Sequence, residues 1–259
     1  MKSIKSIYYH NPTPQQLERT ICWLQSKGYR FISCDELYND VRQSVWGDEK
    51  LVFLSLDDAW RTNLQLIPVI EKYHVPITIF APIEPLLSGN YWWDYLSRPE
   101  REAFKQLSYD DFSRKMQQLR AHSRLPRTCM TKDELRQLAQ HPLVSIQSHT
   151  MTHPILTSLP DELLQEEVVH AKAALEEIID QPVDYFSYPN GSYGKREVEM
   201  VRGVYKMAFT TDLRHITPKE DIMALPRIEV TGNYVRDKLK FYKIWPLIRR
   251  IACIVLRRK

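Results

Sequence analysis

Leu51-Val52-Phe53-Leu54-Ser55-Leu56-Asp57-Asp58-Ala59-Trp60 carries six mostly apolar residues straight into two adjacent carboxylates. A short apolar run rich in β-formers reads as a strand covered on both faces, the kind found in parallel sheets. Asp-Asp is poor strand material, so the strand ends there. Two acids at the end of a buried strand cost free energy unless a cation compensates them. The plainer alternative makes both of them solvated loop acids, with Asp58 capping a following helix.

Leu143-Val144-Ser145-Ile146-Gln147-Ser148-His149-Thr150-Met151-Thr152-His153-Pro154 has the same form: a short strand, then polar residues with metal-ligand chemistry. His149 and His153 stand at i and i+4, which on a helix places both imidazoles on one face. Pro154 disfavours helix at residue 153, so a tight turn is the other reading. One carboxylate (Asp58) plus two imidazoles is a ligand set for a catalytic divalent metal that leaves positions open for water and substrate.

Ser55-Leu56-Asp57-Asp58-Ala59 resembles the Thr-Phe-Asp-Asp-Gly motif of the polysaccharide deacetylases (NodB homology, carbohydrate esterase family 4). Ser148-His149-Thr150-Met151-Thr152-His153-Pro154 is similar to their His-x3-His-Pro motif. The resemblance runs roughly from His10 to Val230. It implies an irregular (β/α)7-type barrel, with Asp58, His149 and His153 holding zinc or a similar divalent metal and Asp57 as general base. The substrate it implies is an acetylated glycan.

The 259 residues suffice for one large α/β domain, and 26% charged with 43% hydrophobic residues is ordinary globular composition. Cys22, Cys34, Cys129 and Cys253 are scattered and read as free thiols of a reducing compartment. Met1-Lys2-Ser3-Ile4-Lys5 lacks a leader's apolar run, so the expected location is the cytoplasm. Of the net charge of +4, residues 236–259 carry nine Lys/Arg against Asp237, leaving 27 basic and 31 acidic residues for the body. Nucleic acid is therefore not an expected partner. The tail reads either as a basic amphipathic helix on an anionic membrane face or as a helix packed on the barrel.

Strands are expected at 6–10, 30–33, 51–56, 75–80, 143–149, 183–189 and 206–210 and in the short apolar run before Arg227, with helices between them. Such alternation predicts a parallel sheet, open or closed. The expected domain is 1–235, with a helical insertion at about 90–130. A helix over 62–74 must kink or break at Pro68. Thr131 and Glu134 form a capping box, and Leu164, Val168, Leu175 and Ile179 mark one apolar helix face. His10, Asp57, Asp58, His149, His153, Asn190 and Arg227 all follow predicted strands, and parallel β/α barrels collect their chemistry at those ends.

Phe186-Ser187-Tyr188-Pro189-Asn190-Gly191 resembles the family's Arg-x-Pro-Tyr motif with Ser187 in the arginine's place. By resemblance the Asn190 N–H becomes an oxyanion donor, which its side chain does not affect. Arg227 is expected to supply the missing guanidinium to Asp57; the alternative is a surface arginine. His10 is either a residue of the barrel mouth or a strand-end histidine. His10 and His215 are the candidates for the general acid. Trp60, Tyr188 and Trp93 are candidates for stacking on a sugar, with packing as the other reading of the aromatics in the insertion. The departures at Ala59 and Ser187 keep a second function class open, a glycan-binding barrel without catalysis. An iron oxygenase fits the ligand set but not the strand–helix alternation.

Overall fold

A computed structural model describes residues 3–44 and 46–242. The strands are β1 (Lys5–Tyr9), β2 (Tyr29–Ile32), β3 (Lys50–Asp57), β4 (Ile77–Ala81), β5 (Val144–Ser148), β6 (Tyr185–Ser187), β7 (Met207–Phe209) and β8 (Ile228–Glu229). Between them lie helices α1 (Pro14–Ser26), α2 (Cys34–Arg42), α3 (Ile67–Tyr73), α4 (Ile83–Ser88), α5 (Arg98–Phe104), α6 (Tyr109–His122) and α7 (Lys132–Ala139). Then follow α8 (Asp161–Gln165), α9 (Ala171–Ile179), α10 (Lys195–Arg202) and α11 (Tyr234–Phe241). A π-helical turn, Glu166–His170, joins α8 to α9.

Every strand pairing is parallel, and seven strands follow the order β7-β6-β5-β4-β3-β1-β8. One edge of β3 is taken by β1; the other is shared by β2 along Lys50–Phe53 and β4 along Ser55–Asp57. Residues 222–225 exchange backbone hydrogen bonds with β7, and the chain then runs into β8 beside β1. One irregular segment thus joins the two ends of the path, as in a (β/α)7-type barrel.

Strand parity sorts the side chains. Val52, Leu54 and Leu56 face the outer helices, in one core with Leu17, Ile21 and Leu24 of α1. Phe53 faces inward and stacks on Phe209 at 4.9 Å, with Phe80 against the same ring. Ser55 and Asp57 share the parity of Phe53, so both look into the barrel above this aromatic plug.

Local signals set the helix ends. Thr13, Ser33 and Thr131 close capping boxes with Gln16, Glu36 and Glu134. The expected break at Pro68 lies just before it: a 3-10 turn, Arg61–Leu66, precedes α3, and Pro68 falls in the first helical turn, where its missing N–H costs nothing. Around the expected boundary at residue 236, the described residues of α11 pack on the rest of the fold. Asp237 accepts from Thr231, Lys240 pairs with Glu229, and Phe241 is buried against Trp23 and Tyr29. The remainder of the expected basic tail, 243–259, lies outside the described residues.

β5 and β6 share a single register pair, Ser148 with Phe186. Beside it, the buried Gln147 side chain does the ladder's work: its carbonyl oxygen accepts from the N–H of Asp184 at 2.9 Å and of Tyr185 at 2.8 Å. Gln147→Leu strands both donors and is expected to lower stability by roughly 2–5 kcal/mol, read from the urea midpoint. Gln147→Glu, which keeps the acceptor, should cost clearly less.

Candidate active site and metal centre

Arg227 is wholly buried, and each of its N–H groups has an acceptor. Nε donates to Thr210 O at 3.2 Å. Nη1 donates to Asp57 Oδ1 at 2.7 Å and Ser55 Oγ at 2.9 Å. Nη2 donates to Asp57 Oδ2 at 2.8 Å and Ser187 Oγ at 2.7 Å. A guanidinium has five N–H groups, so none is wasted. Its carbon also lies 4.5 Å from the centroid of the Tyr8 ring, a cation–π contact. Ser187, in the position where the family motif has arginine, is small enough to leave room for this group and polar enough to bind it. Burial alone would raise the Asp57 pKa; Arg227, helped by His149 and His10, more than offsets this, and the carboxyl is held below its ordinary range.

Asp58 follows at φ 78, which turns its side chain away from that of Asp57. Its Oδ2 accepts from Trp60 Nε1 at 3.2 Å. Its Oδ1 is buried without a donor, 3.6 Å from His149 Nε2 and 3.4 Å from His153 Nε2. His149 Nδ1 lies 2.7 Å from Ser187 O, which requires the proton on Nδ1 and leaves Nε2 as a lone pair facing Asp58. Burial raises the Asp58 pKa and lowers those of both imidazoles, His153 well below its ordinary value. Ligand atoms of the three residues lie within 4.8 Å of one another. A carboxylate oxygen lacking a donor, facing two uncharged imidazoles, fits a divalent cation.

The His149-to-His153 segment is a turn, not a helix: Thr150 has φ 71 and His153 has φ 59. Glu167 holds it. Its carboxylate accepts from the N–H of Met151 and Thr152 at 2.9 and 2.8 Å and from Thr152 Oγ1 at 2.6 Å. Glu167 lies in the π-helical turn and is 2% exposed. The sequence reading missed it, although it stands three residues after Leu164 on the same helix face. Tyr91, which the sequence places among the insertion's aromatics, has a contact with Asp58 that the sequence does not foretell. Its hydroxyl donates to Asp58 O at 2.7 Å, and its ring lies between those of Trp60 and Trp93.

Asp57, Asp58, His149 and His153 line one cleft together with Tyr8, His10, Trp60, Trp93 and Asn190. Asn190 has φ 55, a conformation that asparagine tolerates. Gly191 follows at φ 66, and a Cβ there would lie 2.0 Å from Thr211 Oγ1. Two expected residues are elsewhere. Tyr188 has the outward parity of Phe186; it is buried beneath Tyr193 and donates to Met223 O, so it is not a substrate contact. His215 is buried at α11 with Nε2 2.7 Å from Phe241 O, which removes it as a general acid.

Arg227→Met leaves the Asp57 carboxylate buried and unpaired, and should cost about 3–5 kcal/mol in denaturant unfolding. Adding Asp57→Asn should restore a large part of that loss, which a double-mutant cycle reads directly. Glu167→Gln should weaken metal affinity roughly 10- to 100-fold in competition with a chromophoric chelator, because the turn carrying His153 loses its anchor.

The sequence profile described as polysaccharide deacetylase matches residues 45–204. YxkH of Bacillus subtilis (strain 168), whose name provisionally makes it a polysaccharide deacetylase, is 24% identical over 219 residues. That alignment covers 84% of this chain and 64% of YxkH, so the chain spans less than two thirds of that relative. The fold is similar to that of the Streptococcus pyogenes deacetylase PplD, solved with acetate (TM-score 0.69, 18% identity, 89% of this chain and 93% of that one). It is also similar to IcaB from Ammonifex degensii (TM-score 0.67, 18% identity, 95% and 97%). With the profile covering more than half of its residues, the chain belongs to the polysaccharide deacetylase family.

Proposed function

We propose that the protein is a metal-dependent hydrolase that removes an acetyl group, carried on nitrogen, from a sugar of a polysaccharide, oligosaccharide or lipid-linked glycan. The observation that carries this reading is the side-by-side placement of Asp57, ionised by its pair with Arg227, and the Asp58–His149–His153 triangle. Zinc suits that donor set, with positions left open. A cation held by Asp58, His149 and His153 would supply a Lewis acid for the scissile carbonyl and for water.

The chain's own groups have separate tasks. Asp57 takes the proton of the attacking water, and Arg227 keeps it a carboxylate aimed into the cleft. The Asn190 N–H donates to the developing oxyanion. His10, exposed at the cleft wall, gives the leaving amine its proton. Trp60 and Trp93 offer ring faces to the sugar. A barrel that only bound glycan would have no use for a fully satisfied arginine holding one carboxylate ionised beside a metal site.

We further propose that the basic stretch after Phe241 holds the protein at the anionic cytoplasmic face of a membrane. Equal flotation of the full chain and a version ending at residue 242 with anionic liposomes would exclude it.

Acetate release from N-acetylated oligosaccharides is the direct test of the hydrolase. It should stop with a chelator and return with Zn2+. Asp57→Asn should lower kcat about 10²- to 10⁴-fold while metal binding persists. Turnover that withstands both treatments would refute the mechanism.

A further inference from the structure

The cleft has a second charged feature that the hydrolytic step does not use. Arg98, Arg101, Glu102 and Lys105 all line it, and all come from α5 and the residue that caps it. Their spacing of three, four and seven puts them on one helix face, the face turned to the cleft. Their charges do not cancel. Lys105 Nζ and Glu102 Oε1 pair at 3.0 Å. Arg101 spends only Nε, on the Leu96 carbonyl at 3.1 Å, and Arg98 has no hydrogen bond or ion pair among the described residues. The other acids of the cleft are committed: Asp57 to Arg227 and Asp58 to the metal triangle. Two guanidiniums therefore remain, facing the space where the acetylated sugar must lie.

A neutral glycan gives such groups only weak acceptors. Guanidinium forks match phosphate oxygens in charge and in paired hydrogen-bond geometry, where a lysine would act as a point charge. On the deacetylase reading above, we infer that the sugar taken by this site carries a phosphate or diphosphate ester, bound by Arg98 and Arg101. A nucleotide-linked sugar and a lipid-linked sugar share that chemistry.

The test uses the zinc-loaded full chain and N-acetylhexosamines differing only at the anomeric position. These are the methyl glycoside, the glucuronide, the 1-phosphate, a uridine diphosphate derivative and a short-chain prenyl diphosphate derivative. Phosphorylated substrates should exceed the methyl glycoside at least 10-fold in kcat/KM, mainly through KM. The better of the last two names the source. In Arg98→Ala/Arg101→Ala the preference should fall to within about 2-fold. Arg98→Glu, at an exposed position with no structural hydrogen bond, should do the same if the double variant folds poorly. A wild-type preference absent from the start, one that survives these substitutions, or one that favours the glucuronide would overturn the inference. Calorimetric binding of inorganic diphosphate gives a readout without turnover: affinity should drop at least 10-fold in the double variant, and unchanged affinity would overturn the inference. If no compound releases acetate yet diphosphate binding depends on the arginines, the hydrolase reading fails and the anion site stands.

Discussion

The buried pair of Arg227 with Asp57 is the constraint around which the barrel mouth is built. A guanidinium cut off from water is tolerable only when every donor is satisfied, and here the acceptors come from four elements: Ser55 and Asp57 of β3, Ser187 of β6, Thr210 after β7, and the ring of Tyr8 on β1. The same arrangement fixes the protonation of Asp57. Ser187 extends it to the candidate metal centre, since its carbonyl sets the tautomer of His149 while its hydroxyl binds Arg227. Asp57 and the Asp58–His149–His153 triangle are thus oriented by one connected network.

Backbone strain gathers at the same place. Of the eight non-glycine residues with positive φ among those described, Asp58, Ala59, Thr150, His153 and Asn190 belong to the site loops. Each left-handed residue costs on the order of 1 kcal/mol or more. The surrounding structure holds them: Tyr91 grips the Asp58 carbonyl, Glu167 grips the 151–152 backbone, and Trp92 donates to the carbonyl of His153. Ala59, which stands where the family motif has glycine, accepts φ 56 with its methyl fully buried.

Much of this was legible in the sequence because it is written locally. Short apolar runs ending in Asp57-Asp58 and His149 announce both strand ends, and parallel alternation sends those ends to one rim. The reach of Arg227 to Asp57 was legible only as a compensation for Ser187, through the family motif. What escaped depends on parity or on distant contacts. Tyr188 looked like a cleft aromatic, but one residue after the inward-facing Ser187 it must face the helices. The turn between the two histidines is set by Glu167, a charge on an otherwise apolar helix face that reads locally as surface. His215 and Phe241 meet through packing that no local pattern encodes.

Arg227 lies on the closing segment of the barrel, 170 residues after its partner Asp57. During synthesis Asp57, Asp58, His149 and His153 emerge well before the guanidinium that keeps Asp57 charged. A nascent chain stopped short of that segment would already carry Asp58, His149 and His153, yet its aspartate would lack the counter-ion. The buried pair is therefore completed only by a contact of very long sequence separation, and any fluctuation that lifts residues 222–229 from the rim would take the counter-ion from the proposed base while leaving Asp58, His149 and His153 in place.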